Sequence, residues 1–393
     1  MTRFGLDILL TDFPSELRGK RLGIVCHAAS IASDYQHIVN LLAQTPQCTL
    51  GAIFGPQHGL FGQTQDNMIE WEGSVHPELK VPVYSLYGEV RTPSDSMLEG
   101  LDAFLFDIQD VGARPYTYVW TLKNCMEACA QKGIPVWVLD RPNPIGCLGM
   151  DGPMLSEEFF SFVGGATMPL CHRMTMGEMA LLIKKLYVGD CDLNIVWMEN
   201  WWRDSLWSET GLPWVLPSPN MPTLDTAVVY PGQVLLEATN LSEGRGTTRP
   251  FELFGAPYLK VTEVVSMLQK ENVPGCLFRE HGFIPTFQKW KGEFCAGLQI
   301  HITDARTFRP VQTSVALLSA ILKTASDEFQ FKDPPYEYEY EKMPFDILAG
   351  DTRLRDALVS GVPVEEIRGE WEKEYAVWSE LFSAVSHYPE KRL

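Results

Sequence analysis

Apolar runs that stop abruptly at a polar residue recur through the first part of the chain. LDAFLFD ends at Asp107 and IPVWVLD at Asp140, while RLGIVC runs into the loop HAAS and CTLGAIF into GPQHG. Residues apolar at successive positions suit a parallel strand buried on both faces. Helical spacing fills the intervals, with SDYQHIVNLLAQ before the second run and TLKNCMEACAQKG before the fourth. Strand and helix alternate at about 30-residue spacing, the rhythm of βαβ units. Right-handed crossovers then predict a Rossmann-like parallel sheet. FGLDILL reads as a short amphipathic helix ahead of the first strand, MTMGEMALLIKKLY as a further helix and LNIVWM as a further strand.

The texture then changes. LPWVLPSPNMPTLDTAVVYPG is rich in proline and short on helical periodicity, which places a domain boundary near Tyr230 to Gly232. The expected organisation is α/β: residues 1–230 as the Rossmann-like, catalytic domain and 231–393 as a smaller α+β auxiliary domain. The second part mixes helices (VTEVVSMLQ, SVALLSAILKTA), a strand (FCAGLQIHIT) and a helical end. PPYEYEYEK reads as an exposed edge or loop.

Composition narrows the class. A chain of 393 residues, 45% hydrophobic, can bury two cores. Its formal net charge of -18 repels phosphate backbones, so nucleic acid is not expected as a partner. No run approaches the roughly 20 apolar residues of a membrane span. The N-terminus lacks the order of a signal peptide. Nine cysteines, an odd number without a CxxC pair, fit buried reduced thiols. A cytoplasmic protein is the expectation.

Several chemistries lose support. There is no GxGxxG, no GxxxxGK[ST], no HExxH and no GxSxG. No metal or organic cofactor is therefore expected. What remains is carboxylates, guanidinium groups and tyrosines on polar loops. In a parallel α/β sheet the carboxyl ends of the strands form the ligand crevice. Asp107, Asp110, Arg114, Tyr116, Tyr118, Asp140, Arg141 and Asn143 should crowd that crest. Asp107 and Asp110 are either proton-transfer groups or a helix cap and a partner for Arg114. Asp140 and Arg141 either orient a ligand or pair with each other. His58 follows Gln57 among glycines that permit close backbone approach. Glu243, Arg245 and Arg249 lie in TNLSEGRGTTRPFE, either an anion clamp or a salt-bridged connector. ENWWRDSLW is a packing segment or a sugar-stacking platform.

Read together, these blocks resemble the NamZ-type exo-β-N-acetylmuramidases. The resemblance runs through nearly the whole chain, including GPQHGLFG, VPVYSLYG, FDIQDVGARPYTY, VLDRPNPIG, GLPWVLPSPNMPTL, NLSEGRGTTRPFELFGAPY and PFDILAG. It implies a Rossmann-like domain, an auxiliary domain and a site in the cleft between them. It also implies removal of a terminal N-acetylmuramic acid from peptidoglycan fragments, so the expected partner is a small sugar or muropeptide. Glycoside hydrolysis needs a carboxylic acid to protonate the leaving oxygen, usually with a second carboxylate. On this reading Asp107, Asp110 and Glu243 are the catalytic candidates. Gln57, His58, Arg114, Tyr116, Tyr118, Asp140, Arg141, Asn143, Asn220, Asn240 and Arg245 are the substrate-binding ones, with the arginines meeting the lactyl carboxylate. One residue departs from the family pattern. Where the family reads PEHG, this chain has Gln57, and an amide cannot donate a proton as a general acid. Asp66, Glu70 and Glu72 lie just downstream as further replacements. Gln57 also leaves open a non-catalytic sugar-binding paralogue, or an enzyme with a shifted substrate.

Overall fold

The computed structural model describes residues 1–66 and 69–391. Its larger sheet has seven strands: β1 (Arg21–Cys26), β2 (Thr49–Gly55), β3 (Ser74–Val75), β4 (Pro82–Ser85), β5 (Ala103–Asp107), β6 (Val136–Leu139) and β7 (Leu193–Val196). They lie in the order β3-β4-β2-β1-β5-β6-β7. Every pairing is parallel except β3 with β4. The parallel strands alone follow the doubly wound Rossmann order, outward from β1 on one side and from β5 on the other. The apolar runs are buried on both faces, as their sequence demands. β5 is inaccessible along its length, and Phe104, Leu105 and Phe106 pack into the two cores.

Strand order reverses between β1 and β5, where Cys26 stands opposite Asp107. Open α/β sheets usually bind ligands outside the carboxyl ends at this point. Here the place is packed with protein. The His27 ring reaches Ser30 Oγ at 3.1 Å and the Gln109 carbonyl at 3.2 Å, and Ser30 Oγ donates to the Asp107 carbonyl. Burial holds the His27 pKa down to about 3, so this ring is uncharged. The open cleft lies to one side.

The smaller sheet is antiparallel, with β8 (Leu253–Ala256), β9 (Cys276–Glu280) and β10 (Ala296–Ile302) in the order β8-β10-β9. Together the two sheets confirm the expected α/β fold with a smaller α+β part. The expected boundary at Tyr230 to Gly232 falls within a helix, Leu224–Gln233. Thr223 caps that helix by accepting from the Thr226 amide, and Pro231 sits near its end. Gly232 lets it approach the helix Pro310–Thr324, since a Cβ there would meet the Pro310 carbonyl oxygen at 2.0 Å. Proline-rich surroundings hid this helix from a reading by periodicity.

One apolar cluster continues from the large sheet through the second part of the chain to Val385. The C-terminal helix Val364–Val385 ends against the first domain. There Tyr388 donates to Asp140 Oδ2 at 2.6 Å and accepts from the Met198 amide at 2.8 Å. Buried Glu178 pairs with Arg203 and accepts from the His387 amide. All nine cysteines are free. Among the described residues no helix is long and apolar enough to cross a membrane.

Candidate active site

The cleft is built from both parts of the chain. Its lining includes Gln57, His58, Tyr116, Thr117, Tyr118, Ser218 and Asn220 from the first, and Tyr230, Glu237, Arg245, Phe251, Tyr336 and Glu337 from the second. The space between these side chains, counting the part open to solvent, is about 460 Å³. One wall is a chain of edge-to-face rings. Tyr116 meets Tyr118 at 4.8 Å and Tyr230 at 5.6 Å, and Tyr230 meets Phe251 at 4.9 Å.

Gln57 and His58 follow β2. Thr117 Oγ1 donates to Gln57 Oε1 at 2.7 Å. His58 adopts a left-handed conformation, with φ of 71°. Its Nδ1 lies 2.7 Å from the Thr64 carbonyl, which assigns the proton to Nδ1 and leaves Nε2 as an acceptor. Burial lowers its pKa to about 4, so it is neutral at physiological pH. Asn220 is fixed by Gln65, donating to its carbonyl at 2.7 Å.

Across the cleft, Arg245 is held by two carboxylates. Nη2 donates to Glu237 at 2.7 Å, and Nε stands 3.3 Å from Glu243. Burial opposes the charge, but Glu237 and Glu243 outweigh it and raise the Arg245 pKa. Nη1 is buried with no hydrogen-bond partner among the described residues, and remains available to an acceptor in the cleft. Glu243 lies behind, 2.6 Å from Lys289. Burial works against its charge too, yet Lys289 and Arg245 hold its carboxyl below the ordinary range. That suits an electrostatic support for Arg245 and not a proton donor.

Glu337 has the opposite character. Burial raises its pKa to about 7, tempered by a 3.0 Å hydrogen bond from the Tyr87 hydroxyl to Oε2. It sits in a turn closed by reciprocal 2.9 Å bonds between Tyr336 and Glu339. Both central residues are left-handed, Glu337 with φ of 44° and Tyr338 with 69°. Tight turns with two such residues ordinarily carry Asn or Gly there. Non-glycine residues held in this region cost of order 1 kcal/mol or more each and cluster at functional sites. Tyr336 donates to Glu237 Oε2 at 2.8 Å, so the same turn supports both carboxyls of the cleft.

The other candidates do reach the crest of the sheet, but most are spent on the fold. Asp107 is fully buried and binds Arg141 through both oxygens, at 2.5 and 2.8 Å. Arg141 also donates to the Ile31 carbonyl and lies over the Phe4 ring. The alternative pairing of Asp140 with Arg141 is not formed. Asp140 instead accepts from Thr175, the Gly177 amide and Tyr388, and burial raises its pKa to about 7. Arg114 does not pair with Asp107 or Asp110, and it lies outside the lining. Its guanidinium donates to the carbonyls of Pro153, Met168 and Leu348, and its Nε is buried without a partner among the described residues, away from the cleft. Asn143 is closed by Met174 and Ile145, and Asn240 by Tyr258, Glu328 and Gln330. Asp110 lies outside the lining, 3.9 Å from His172. Its Oδ2 accepts from the Gly112 amide at 2.6 Å, and burial lifts its pKa to about 7.

The remaining loop candidates also stand apart. Arg249 is half exposed against Glu252. Asp66, Glu70 and Glu72 do not line the cleft. ENWWRDSLW is packing, with Trp201 against Tyr388 and Trp207 against Trp214. Sequence reasoning missed Glu237, Tyr336 and Glu337. Glu237 carries a cue, a lone acid within the apolar VLLEA. PPYEYEYEK carries none, because its alternation looks like a solvated edge.

A doubly wound domain without a nucleotide loop, joined to a second domain that completes an acid-lined and arginine-lined cleft, makes a site for a polar ligand. The family assignment follows. Residues 22–225 match the model of the exo-β-N-acetylmuramidase NamZ N-terminal domain, and residues 228–388 that of its C-terminal domain. The chain belongs to this family. It is 42% identical over 369 residues to the peptidoglycan β-N-acetylmuramidase NamZ of Bacillus subtilis (strain 168), covering 94% of this chain and 87% of that one. A crystal structure of a DUF1343 family protein from Bacteroides fragilis superposes with a TM-score of 0.87 at 28% identity, covering 98% and 99% of the two chains. A second from the same organism gives 0.77 at 25% identity, over the full length of both.

Proposed function

We propose that the protein is an exo-β-N-acetylmuramidase that removes a terminal β-linked N-acetylmuramic acid from soluble peptidoglycan fragments, with Glu337 as the proton donor. The observation that carries the assignment of the donor is the pairing of two unlike carboxyls in one cleft. Glu337 keeps its proton near neutrality, and Glu237 is ion-paired to Arg245. Glycoside hydrolysis uses such a division of roles. Gln57 stands where the family resemblance expects the acid, so the proton must come from elsewhere. Arg245 Nη1 is the donor for the lactyl carboxylate, and His58 Nε2 an acceptor for a sugar hydroxyl. Free thiols fit a reducing compartment, as in recycling of wall fragments within the cytoplasm.

The test compares two leaving groups. A sugar alkoxide must be protonated to depart, whereas nitrophenolate departs readily without help. Glu337→Gln should lose about 10²- to 10⁴-fold on the N-acetylmuramyl disaccharide and much less on the nitrophenyl glycoside. Equal losses on both would remove Glu337 from proton transfer. Gln57 favours a second reading, a sugar-binding paralogue. Muropeptide binding by the wild type with no release from either substrate would establish it.

A further inference from the structure

The turn that carries Glu337 is held from the opposite side of the cleft. We propose that Arg91 is a positioning residue, clamping Tyr338 so that the Tyr336–Glu339 turn keeps Glu337 facing the substrate. This rests on the reading of Glu337 as proton donor.

The turn has no local reason for its shape. Its central residues are Glu and Tyr, both left-handed, where Asn or Gly would form the bend at little cost. Tertiary contacts must therefore hold it. They come from the first domain. The Arg91 guanidinium carbon lies 4.4 Å from the Tyr338 ring centre and 4.6 Å from that of Tyr87, with Phe162 at 5.8 Å. A cation between aromatic faces attracts each of them. Arg91 is itself fixed, since Nη1 donates to the Gly88 carbonyl and Nη2 stands 3.2 Å from Glu70. Glu70 also accepts from the Tyr338 hydroxyl at 3.1 Å. Tyr338 is thus gripped at its ring and at its hydroxyl. Tyr87, beneath the same guanidinium, supplies the 3.0 Å hydrogen bond to Glu337. Both central residues of the turn are tied to this cluster, and none of Arg91, Tyr87 and Tyr338 lines the cleft.

The charged and titratable groups around Glu337 come from both sides. Tyr87 and Arg91 stand on the first domain, with Glu70 behind them. Tyr336, Tyr338, Glu237 and Arg245 stand on the second. Arg91 and Arg245 favour the ionised form of Glu337, while Glu237 and burial oppose it. Removing Arg91 should then raise the Glu337 pKa and loosen its carboxyl.

The test uses Arg91→Gln, Arg91→Lys and Tyr338→Ala on the N-acetylmuramyl disaccharide. Arg91→Gln and Tyr338→Ala should lower kcat by about 10- to 100-fold while KM stays nearly constant, because a misplaced donor harms the transition state more than binding. In Arg91→Gln the alkaline limb of the pH profile should also move upward. Arg91→Lys should restore the limb, which needs the charge, and only part of the rate, which needs the planar stack. Carbon-13 titration of glutamate carboxyls, assigned by the signal lost in Glu337→Gln, reads the same shift without catalysis. An unchanged Glu337 titration in Arg91→Gln, or an unchanged rate in both Arg91→Gln and Tyr338→Ala, overturns the proposal. Full turnover by Glu337→Gln overturns the proton-donor reading alone, and the carboxyl titration still decides whether Arg91 governs Glu337. Tyr338, partly exposed at the rim, covers the case in which Arg91→Gln does not fold.

Discussion

Thr117 donates a 2.7 Å hydrogen bond to the side-chain oxygen of Gln57, at the point where the family resemblance expects a glutamate. A carboxylate would accept that bond equally well. The surroundings therefore tolerate either group, and the difference lies in what the cleft gains or loses as charge. Gln57→Glu should fold like the parent and add a negative charge to the wall shared with Glu337. A like charge raises a neighbouring carboxyl's pKa. The alkaline limb of the pH profile should move upward, and a profile identical to the parent's would show that the two groups do not interact.

The pH dependence of the parent has a definite sign. Glu337 is raised from the ordinary carboxyl range to about 7. The donor form is complete below that value and is lost as pH rises through it, so kcat/KM on the disaccharide should fall above about pH 7. The same shift makes the folded state hold this proton more tightly than the unfolded chain does. Its contribution to stability is fully present below the unfolded value and is lost as pH rises through about 7. Profiles on the disaccharide from pH 5 to 9 check the first statement, and urea midpoints for the parent against Glu337→Gln check the second.

Arg245 neutralises two buried carboxylates at once. Arg245→Met removes the guanidinium that pairs with both Glu237 and Glu243. Breaking a buried pair by removing one partner costs about 3–5 kcal/mol. Arg245→Lys should recover part of that stability but little affinity for the muramic carboxylate, since a lysine lacks the forked geometry. Denaturation together with sugar binding separates the two effects, and an Arg245→Lys variant with parental affinity would remove Nη1 from recognition.

Asp107 and Asp110 stand three residues apart and should respond differently. Asp107→Asn breaks the bidentate pair with Arg141 and strands a buried guanidinium, at a cost of about 3–5 kcal/mol. Asp110→Asn keeps an oxygen for the Gly112 amide and sheds a group that burial already disfavours in charged form. It should fold normally and keep turnover within about tenfold of the parent, since Asp110 lies outside the cleft lining. Loss of turnover in a well-folded Asp110→Asn would return Asp110 to the mechanism.

The parallel sheet was legible because a strand buried on both faces must be apolar at successive positions. AFLFD and VWVL have no other comfortable home. Helix Leu224–Gln233 was not legible, since its register is set by Thr223 and by contact across Gly232, while Pro231 and the prolines before the helix point to a loop. Residue type identified polar groups at the crest without deciding their partners. Arg114 looks like an anion clamp until the Leu348 carbonyl, 234 positions away, meets its Nη2. Gln57, His58 and Arg245 are in the cleft because their loops follow directly from strand ends or lie opposite them. Glu337 escaped notice because nothing in YEYE announces a tight bend. Its conformation is imposed by side chains that lie about 250 positions earlier, Tyr87 among them.

Tyr388, bonded to Asp140 and to the Met198 amide, has a consequence for how the protein is made. The first domain buries Asp140 and Glu178, and one further partner of each comes from residues 387 and 388. Domains of a growing chain generally fold in order as they leave the ribosome. Here the first domain leaves with two acids still lacking part of their final company, and it completes its interior only once residues 387 and 388 have been made. A chain cut short before residue 387 would lack these bonds at the centre of the first domain, far from the place where it was cut.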